Sequence, residues 1–182
     1  MKMYQISYMI VFFVSTTMIG NYEIPLMSMP ESPSNPNIVT ILAQDFPEFY
    51  SLIEKAGMVN ELRDMSPVTI FAPVWYAFRK VSPNYIGEVG QDINRARKLV
   101  GMHIMLGRIP AYQLGGISAF PTLTMPVYIQ RDGSSSLFVT PSQTKSKVIA
   151  TDIPAKNGVI HVVDSLIMPV TQRYGDRHHE KN

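Results

Sequence analysis

Cysteine is absent from this 182-residue chain. That excludes disulfides, thiolate metal sites, thiol nucleophiles and redox exchange. Stability must come from packing, which a chain of this size can supply without covalent staples. Charge is sparse too: 16% of residues are Asp, Glu, Lys or Arg, and the net charge is +2. The densest basic group, Arg95, Arg97 and Lys98, suits the solvated face of a helix, so nucleic acid is not an expected partner. Tryptophan occurs once, at position 75. No Gly-x-Ser-x-Gly elbow, His-Glu-x-x-His pair, phosphate loop or dinucleotide glycine pattern occurs, and no bound cofactor or metal is expected. Asparagine never begins an Asn-x-Ser/Thr sequon, and the C-terminus carries no lipid-anchor signal.

What is present begins with a targeting pattern. Lys2, an apolar core from Ile6 to Val14 and then Ser15, Thr16 and Thr17 read as a signal peptide over residues 1–20. The apolar stretch through Ile19 is short of the roughly 20 residues that a spanning helix needs. Cleavage would remove Lys2 and leave a nearly neutral, secreted, extracellular chain without a membrane anchor. Residues 21–36 are rich in Pro, Ser, Met and Asn and read as a flexible leader. Residues 37–170 carry the folded pattern, within a chain that is 46% hydrophobic. Residues 171–182 form a polar tail, whose His178 and His179 with Asp176 and Glu180 are a weak candidate for a metal.

Ile38, Ile41, Leu42, Phe46, Phe49, Leu52, Ile53 and Ala56 recur at helical spacing. Pro47 must interrupt them, so one short helix should end near Asp45 and a second start at Pro47, with Gly57 as its stop. Met58, Val59 and Leu62 continue the apolar face. Val68–Phe71 reads as a buried strand, closed by Ala72 and Pro73. A helical turn bearing Ala77 and Phe78 should follow. Asp92 suits the cap of a helix through Ile93, Ala96, Leu99 and Val100. Val127–Gln130 and Leu137–Thr140 flank Asp132-Gly133, a hairpin signal. Lys147–Ala150 offers another strand, and Thr151–Lys156 should connect it onward. Asn157-Gly158 reads as a turn because both residues tolerate positive φ. Val159–Val163 then reads as a strand covered on both faces, with His161 buried between valines and in need of a hydrogen-bond partner. Asp164 closes it. Ser165, His161 and Asp164 could be assembled into a triad, but neighbours on one strand point to opposite faces, so Asp164 and Ser165 are not expected to converge on one site.

The segment Asn157-Gly158-Val159-Ile160-His161-Val162-Val163-Asp164 resembles the C-terminal motif of fasciclin-like domains. Thr69-Ile70-Phe71-Ala72-Pro73 followed by Ala77-Phe78 resembles the other signature of that family. A third, weaker likeness is His103 followed by Gly107 and Leu114, with Met102 where the family has Tyr. Val74 and Trp75 stand where the family has Thr and then Asp or Asn, so the usual side-chain cap of the following turn is missing. If Trp75 is exposed, it becomes a candidate interaction anchor.

The resemblance implies an α+β fold: a wedge-shaped β-assembly with helices packed across one side. It also implies a non-catalytic extracellular module for cell adhesion or matrix interaction, whose partner is an extracellular protein, a matrix component or an integrin-like receptor. Asp152 and Ile153 lie where adhesive members carry an Asp-Ile pair, and an exposed aspartate can complete the coordination of a receptor's divalent ion. Asp152, Ile153, His103 and Trp75 are the candidate contact residues. Thr69, Phe71, Pro73, Phe78, Asn157, Gly158, His161 and Asp164 are the expected structural set. Two alternatives remain: a carrier with a Met- and aromatic-lined cavity for a small apolar ligand, and a hydrolase using His161 or His103.

Overall fold

In the computed structural model, which describes residues 35–114, 119–131, 137–140 and 145–168, helix α1 (Ile38–Asp45) starts where the Asn37 side-chain oxygen accepts from the Val39 N–H at 3.0 Å. Phe46 breaks the helix, and Pro47, which has no N–H to give, opens α2 (Pro47–Lys55). Gly57 adopts a φ of 65°, the left-handed stop expected of it. α3 (Val59–Asp64) then leads into β1 (Val68–Pro73). The signal, the leader up to Ser34, the Asp132-Gly133 turn and the tail with His178 and His179 lie outside the described residues.

A 3₁₀ helix (Trp75–Lys80), α4 (Pro83–Gln91) and α5 (Ile93–Gly101) follow β1. Asp92 caps α5, accepting from the Asn94 and Arg95 N–H groups at 2.8 and 3.2 Å. β2 (Ile104–Leu106), α6 (Ala111–Leu114), β3 (Ala119–Phe120), β4 (Val127–Arg131), β5 (Leu137–Thr140), β6 (Ser146–Ala155) and β7 (Gly158–Val163) complete the described chain. The strands form one mixed sheet in the order β2-β1-β7-β6-β5-β4-β3. β1 and β7 run parallel, from Val68 opposite Gly158 to Pro73 opposite Val163; the other pairs are antiparallel.

Every residue of β1 and β7 is buried, as suits strands covered on both faces. Ile70, Ala72, Ile160 and Val162 point to one side and pack with Leu42, Phe49, Leu62 and Leu99 of the helices. Phe71 and Val163 point to the other and share a second core with Val127, Ile129, Leu137 and Val139. In the sheet, β6 separates β7 from β5. Side chains of β1 and β4 can meet only because the sheet curls over on itself. The fold is therefore the expected α+β wedge: helices on one side, a second apolar core inside the curl. Burying each large aliphatic side chain contributes about 1.5–3 kcal/mol.

The structure corrects the expected elements in three places. Thr151–Lys156 is not a connection, because β6 continues to Ala155 with irregular register between Val148 and Ala150 and between Ala150 and Ile153. Pro154 is tolerated there because, among the described residues, β5 pairs with β6 at Ser146 and Lys147 and not at Pro154, so the missing N–H interrupts no described ladder on that side. α4 is additional: Gly87 and Gly90 dilute its apolar periodicity, leaving Val89 as its one fully buried side chain. Finally, neither Asn157 nor Gly158 has a positive φ; Asp152, at φ 61°, is the single non-glycine among the described residues that does.

Candidate functional site

The residues that carry the three sequence motifs converge inside the domain as fasteners. Asn157 begins this set, at the turn before β7. Its side-chain oxygen accepts from the Ile38 N–H at 2.9 Å, and its amide donates to the carbonyls of Leu62 and Met65, each at 2.9 Å. One side chain thus satisfies the start of α1, the end of α3 and the approach to β1. Next to it, Gly158 meets β1 so closely that an added Cβ would lie 2.1 Å from the Val68 carbonyl oxygen. The residue pair is required for side-chain bonding and close approach, not for turn dihedrals.

His161 is fully buried on the inner face of β7, its ring centroid 5.5 Å from that of Phe71. Nε2 donates to the Ile109 carbonyl at 2.9 Å, and Nδ1 accepts from the Asp152 N–H at 3.3 Å. This pairing fixes the neutral tautomer with its proton on Nε2. Burial pushes its pKa below the usual histidine range, against the opposing bond to Ile109 and the charge of Asp152. Thr69 holds the same loop: its Oγ1 donates to the Gly107 carbonyl at 2.6 Å and accepts from the Ile109 N–H at 2.9 Å. Arg108 reaches across to the Ala155 carbonyl at 2.8 Å. The Asp152 Oδ1 accepts from the Ala111 N–H at 2.9 Å, at the first residue of α6. Residues 107–111 are therefore strapped over β1, β7 and β6 by side chains from all three strands.

His103 does the same on the helix side. It is fully buried beside Phe49, ring centroids 5.1 Å apart. Nδ1 donates to the Leu99 carbonyl at 2.9 Å and Nε2 accepts from the Ile167 N–H at 3.0 Å. Burial lowers its pKa from 6.5 to about 4, although the bond to Leu99 favours the proton. The expectation of His103 as a contact residue is corrected: a side chain with no exposed surface cannot touch a partner. Both imidazoles are buried, with both ring nitrogens engaged by backbone groups, which is a structural use of each ring.

Asp164 and Ser165 also depart from expectation, because β7 ends at Val163 and strand alternation no longer applies. Ser165 Oγ donates to Asp164 Oδ1 at 2.9 Å, and Lys80 Nζ donates to both Ser165 Oγ at 3.0 Å and Asp164 Oδ2 at 3.2 Å. Burial pushes the Asp164 carboxyl up; bonds from the Lys147 N–H, Ser165 and Lys80 outweigh it and hold the pKa below 3.8. Lys80 and Ser165 are thus both bound to the Asp164 carboxylate just past the end of β7.

Two candidates reach the surface. Trp75 is 54% exposed, since Val74 provides no side-chain cap and Ala77, two residues on, takes the buried position. Asp152 is exposed, while Ile153 is half-buried against the helix-side core. Phe78 and Ile86 line an open groove of about 450 Å³ between α2, the 3₁₀ helix and α4, with Pro47, Glu48, Ser51, Leu52 and Lys55. It contains one aromatic residue and no methionine, unlike the cavity of the carrier alternative. Among the described residues, no group of three or more His, Asp or Glu side chains converges to hold a metal.

A curled mixed sheet fastened from within by its motif residues, with helices over one side, defines a fasciclin-type α+β domain. The chain belongs to the fasciclin domain family, whose sequence profile matches residues 44–169. It is 31% identical over 136 residues to the protein sll1735 of Synechocystis sp., covering 73% of this chain and 98% of that one. It is 27% identical over 148 residues to human periostin, covering 79% of this chain and 17% of periostin. Among solved structures it resembles the fasciclin domain pair of the insect cell adhesion molecule fasciclin I, with a TM-score of 0.56 and 22% identity. That match covers 72% of this chain and 49% of the pair, and shows the shared fold.

Proposed function

We propose that this protein is a secreted, non-catalytic extracellular module that binds another macromolecule in cell adhesion or matrix assembly. The observation that carries this reading is the inward use of the motif residues: Thr69, His103, Asn157 and His161 are buried and bonded to backbone, which leaves action to the surface. Similarity to periostin and to an insect cell adhesion molecule supports it. The contact site is Asp152 with Ile153, and the partner an integrin-like receptor. Asp152 sits on an exposed stretch of β6, with Oδ1 bonded to the Ala111 N–H; among the described residues Oδ2 has no partner. A carboxylate presented this way can complete the oxygen shell of a receptor's divalent cation.

The test is Asp152→Asn. Asparagine tolerates positive φ and keeps an acceptor for Ala111, but lacks the charge. Attachment of cells to the immobilised variant should fall several-fold, while its melting temperature stays within about 3 °C of the parent. Undiminished attachment removes Asp152 from this reading. Alanine is the poorer variant, because losing the bond and the tolerance for φ 61° would cost about 1–3 kcal/mol on its own.

A further inference from the structure

The 3₁₀ helix after β1 is fixed from below and decorated above. Ala77 is fully buried and Phe78 packs half-buried against the helix-side core. Trp75, Tyr76, Arg79 and Lys80 all face solvent. The Trp75 and Tyr76 rings meet edge to face, 5.6 Å between centroids. The Arg79 guanidinium lies 4.7 Å from the centre of the Trp75 ring, and the Lys80 ammonium 5.6 Å from that of Tyr76. Such cation–π contacts hold the long side chains in place and reduce the ordering cost of binding. Lys80 shares its charge with Asp164 at 3.2 Å. Arg79 has no carboxylate within ion-pair distance, and the Trp75 indole N–H no acceptor, among the described residues.

From this platform we infer that the protein carries a glycan-binding surface, built by Trp75, Tyr76, Arg79 and Lys80, for acidic polysaccharides whose sugar rings bear carboxylates. The inference deepens the matrix-binding reading and rests on it for its setting. Flat aromatic faces match the apolar C–H face of a pyranose, and the indole N–H suits a ring hydroxyl. A guanidinium supplies a planar fork of donors for a carboxylate. Exposed Trp and Arg together are also the residue types that dominate binding energy where they occur. An extended acidic peptide fits less well. It would gain main-chain hydrogen bonds by lying along a strand edge, and the edge strands of this sheet are β2 and β3, not the segment that carries these four side chains.

Trp75 is the one tryptophan of the chain, so its emission reports directly on the surface. Polygalacturonate added to the full protein at low salt should shift or quench that emission saturably, while dextran, which is neutral, should not. In affinity electrophoresis through polygalacturonate, Trp75→Ala and Arg79→Ala should each weaken retardation about tenfold. Arg63→Ala, a charge removed before β1 instead of after it, should stay within about twofold. All three side chains are exposed, and a thermal melt of each variant should match that of the parent. No binding, equal binding of dextran, or binding that survives both Trp75→Ala and Arg79→Ala overturns the inference; so does poly-L-glutamate binding as tightly, which would assign the surface to an acidic polypeptide. Loss of cell attachment in Asp152→Asn alongside an absent polygalacturonate signal would sink this inference and leave the adhesive reading standing.

Discussion

Asn157 illustrates how one side chain can organise three distant segments. Its acceptor and donors meet residues 119, 95 and 92 positions away in sequence, and it is 94% buried with them. Losing those bonds leaves the Ile38 N–H and the Leu62 and Met65 carbonyls without their partner. Each such orphan costs about 1–3 kcal/mol where water cannot reach it. Asn157→Val should therefore lower stability by about 3 kcal/mol or more in a denaturant melt. Asn157→Gly is the sharper comparison. A turn that needed positive φ would accept glycine readily, whereas side-chain bonding predicts a loss close to that of valine. A fully stable glycine variant would show that the bonding account is wrong. This also explains why the sequence misled at this position. Asn-Gly is a turn signal to local reading, while the partners that decide its role are remote and carry no mark in the neighbouring residues.

At the level of elements, the pairing of β1 with β7 depends on the missing side chain at Gly158. A Cβ at that position would stand 2.1 Å from the Val68 oxygen and 2.9 Å from a Val68 methyl. Since the clash involves backbone, the strands must separate at the first step of their register. Gly158→Ala should cost several kcal/mol and remove hydrogen-exchange protection from β1 and β7 together; unchanged protection would refute the close-approach account. Other elements were more legible. β7 reads as a doubly covered strand because its apolar residues ignore alternation, and the Phe46-Pro47 break follows from the missing proline N–H. α4 was hidden by Gly87 and Gly90. The continuation of β6 was hidden by Asp152 and Pro154, whose tolerance in a strand depends on bulged register and an absent neighbour. Burial of His161 and the exposure of Trp75 as an option could be read from composition and motif. The apolar neighbours Met102 and Ile104 already favour the core for His103; its bonds to α5 and to the 165–168 segment, which complete that burial, come from remote residues.

For the molecule as a whole, the two buried imidazoles set the acid response. The folded pKa of His103 is about 4 against 6.5 for the free side chain, so the fold holds the neutral form. Its contribution is complete above pH 6.5, declines as the unfolded chain takes up a proton below that, and is gone near pH 4. The full shift corresponds to on the order of 3 kcal/mol. His161, lowered in the same direction, adds to the same loss. Asp164, held below 3.8, contributes above that value and is lost as pH falls through its lower folded pKa, beneath the histidine range. Melting temperature should thus drop between about pH 6.5 and 4 and then again at stronger acid. His103→Phe should be less stable at neutral pH yet show a shallower decline across the upper range; a slope matching the parent would mean that the imidazole is not responsible.

The position of β7 between its fasteners has a mechanical consequence. The Pro36 carbonyl accepts from Lys156 and the Ile38 N–H is bound by Asn157, just before the strand. Ile167 is tied to His103, just beyond it. The strand between spans about 20 Å. A pull on those two points runs lengthwise along β7, so its ladders with β1 and β6 are loaded in shear and must yield many bonds together instead of unzipping one at a time.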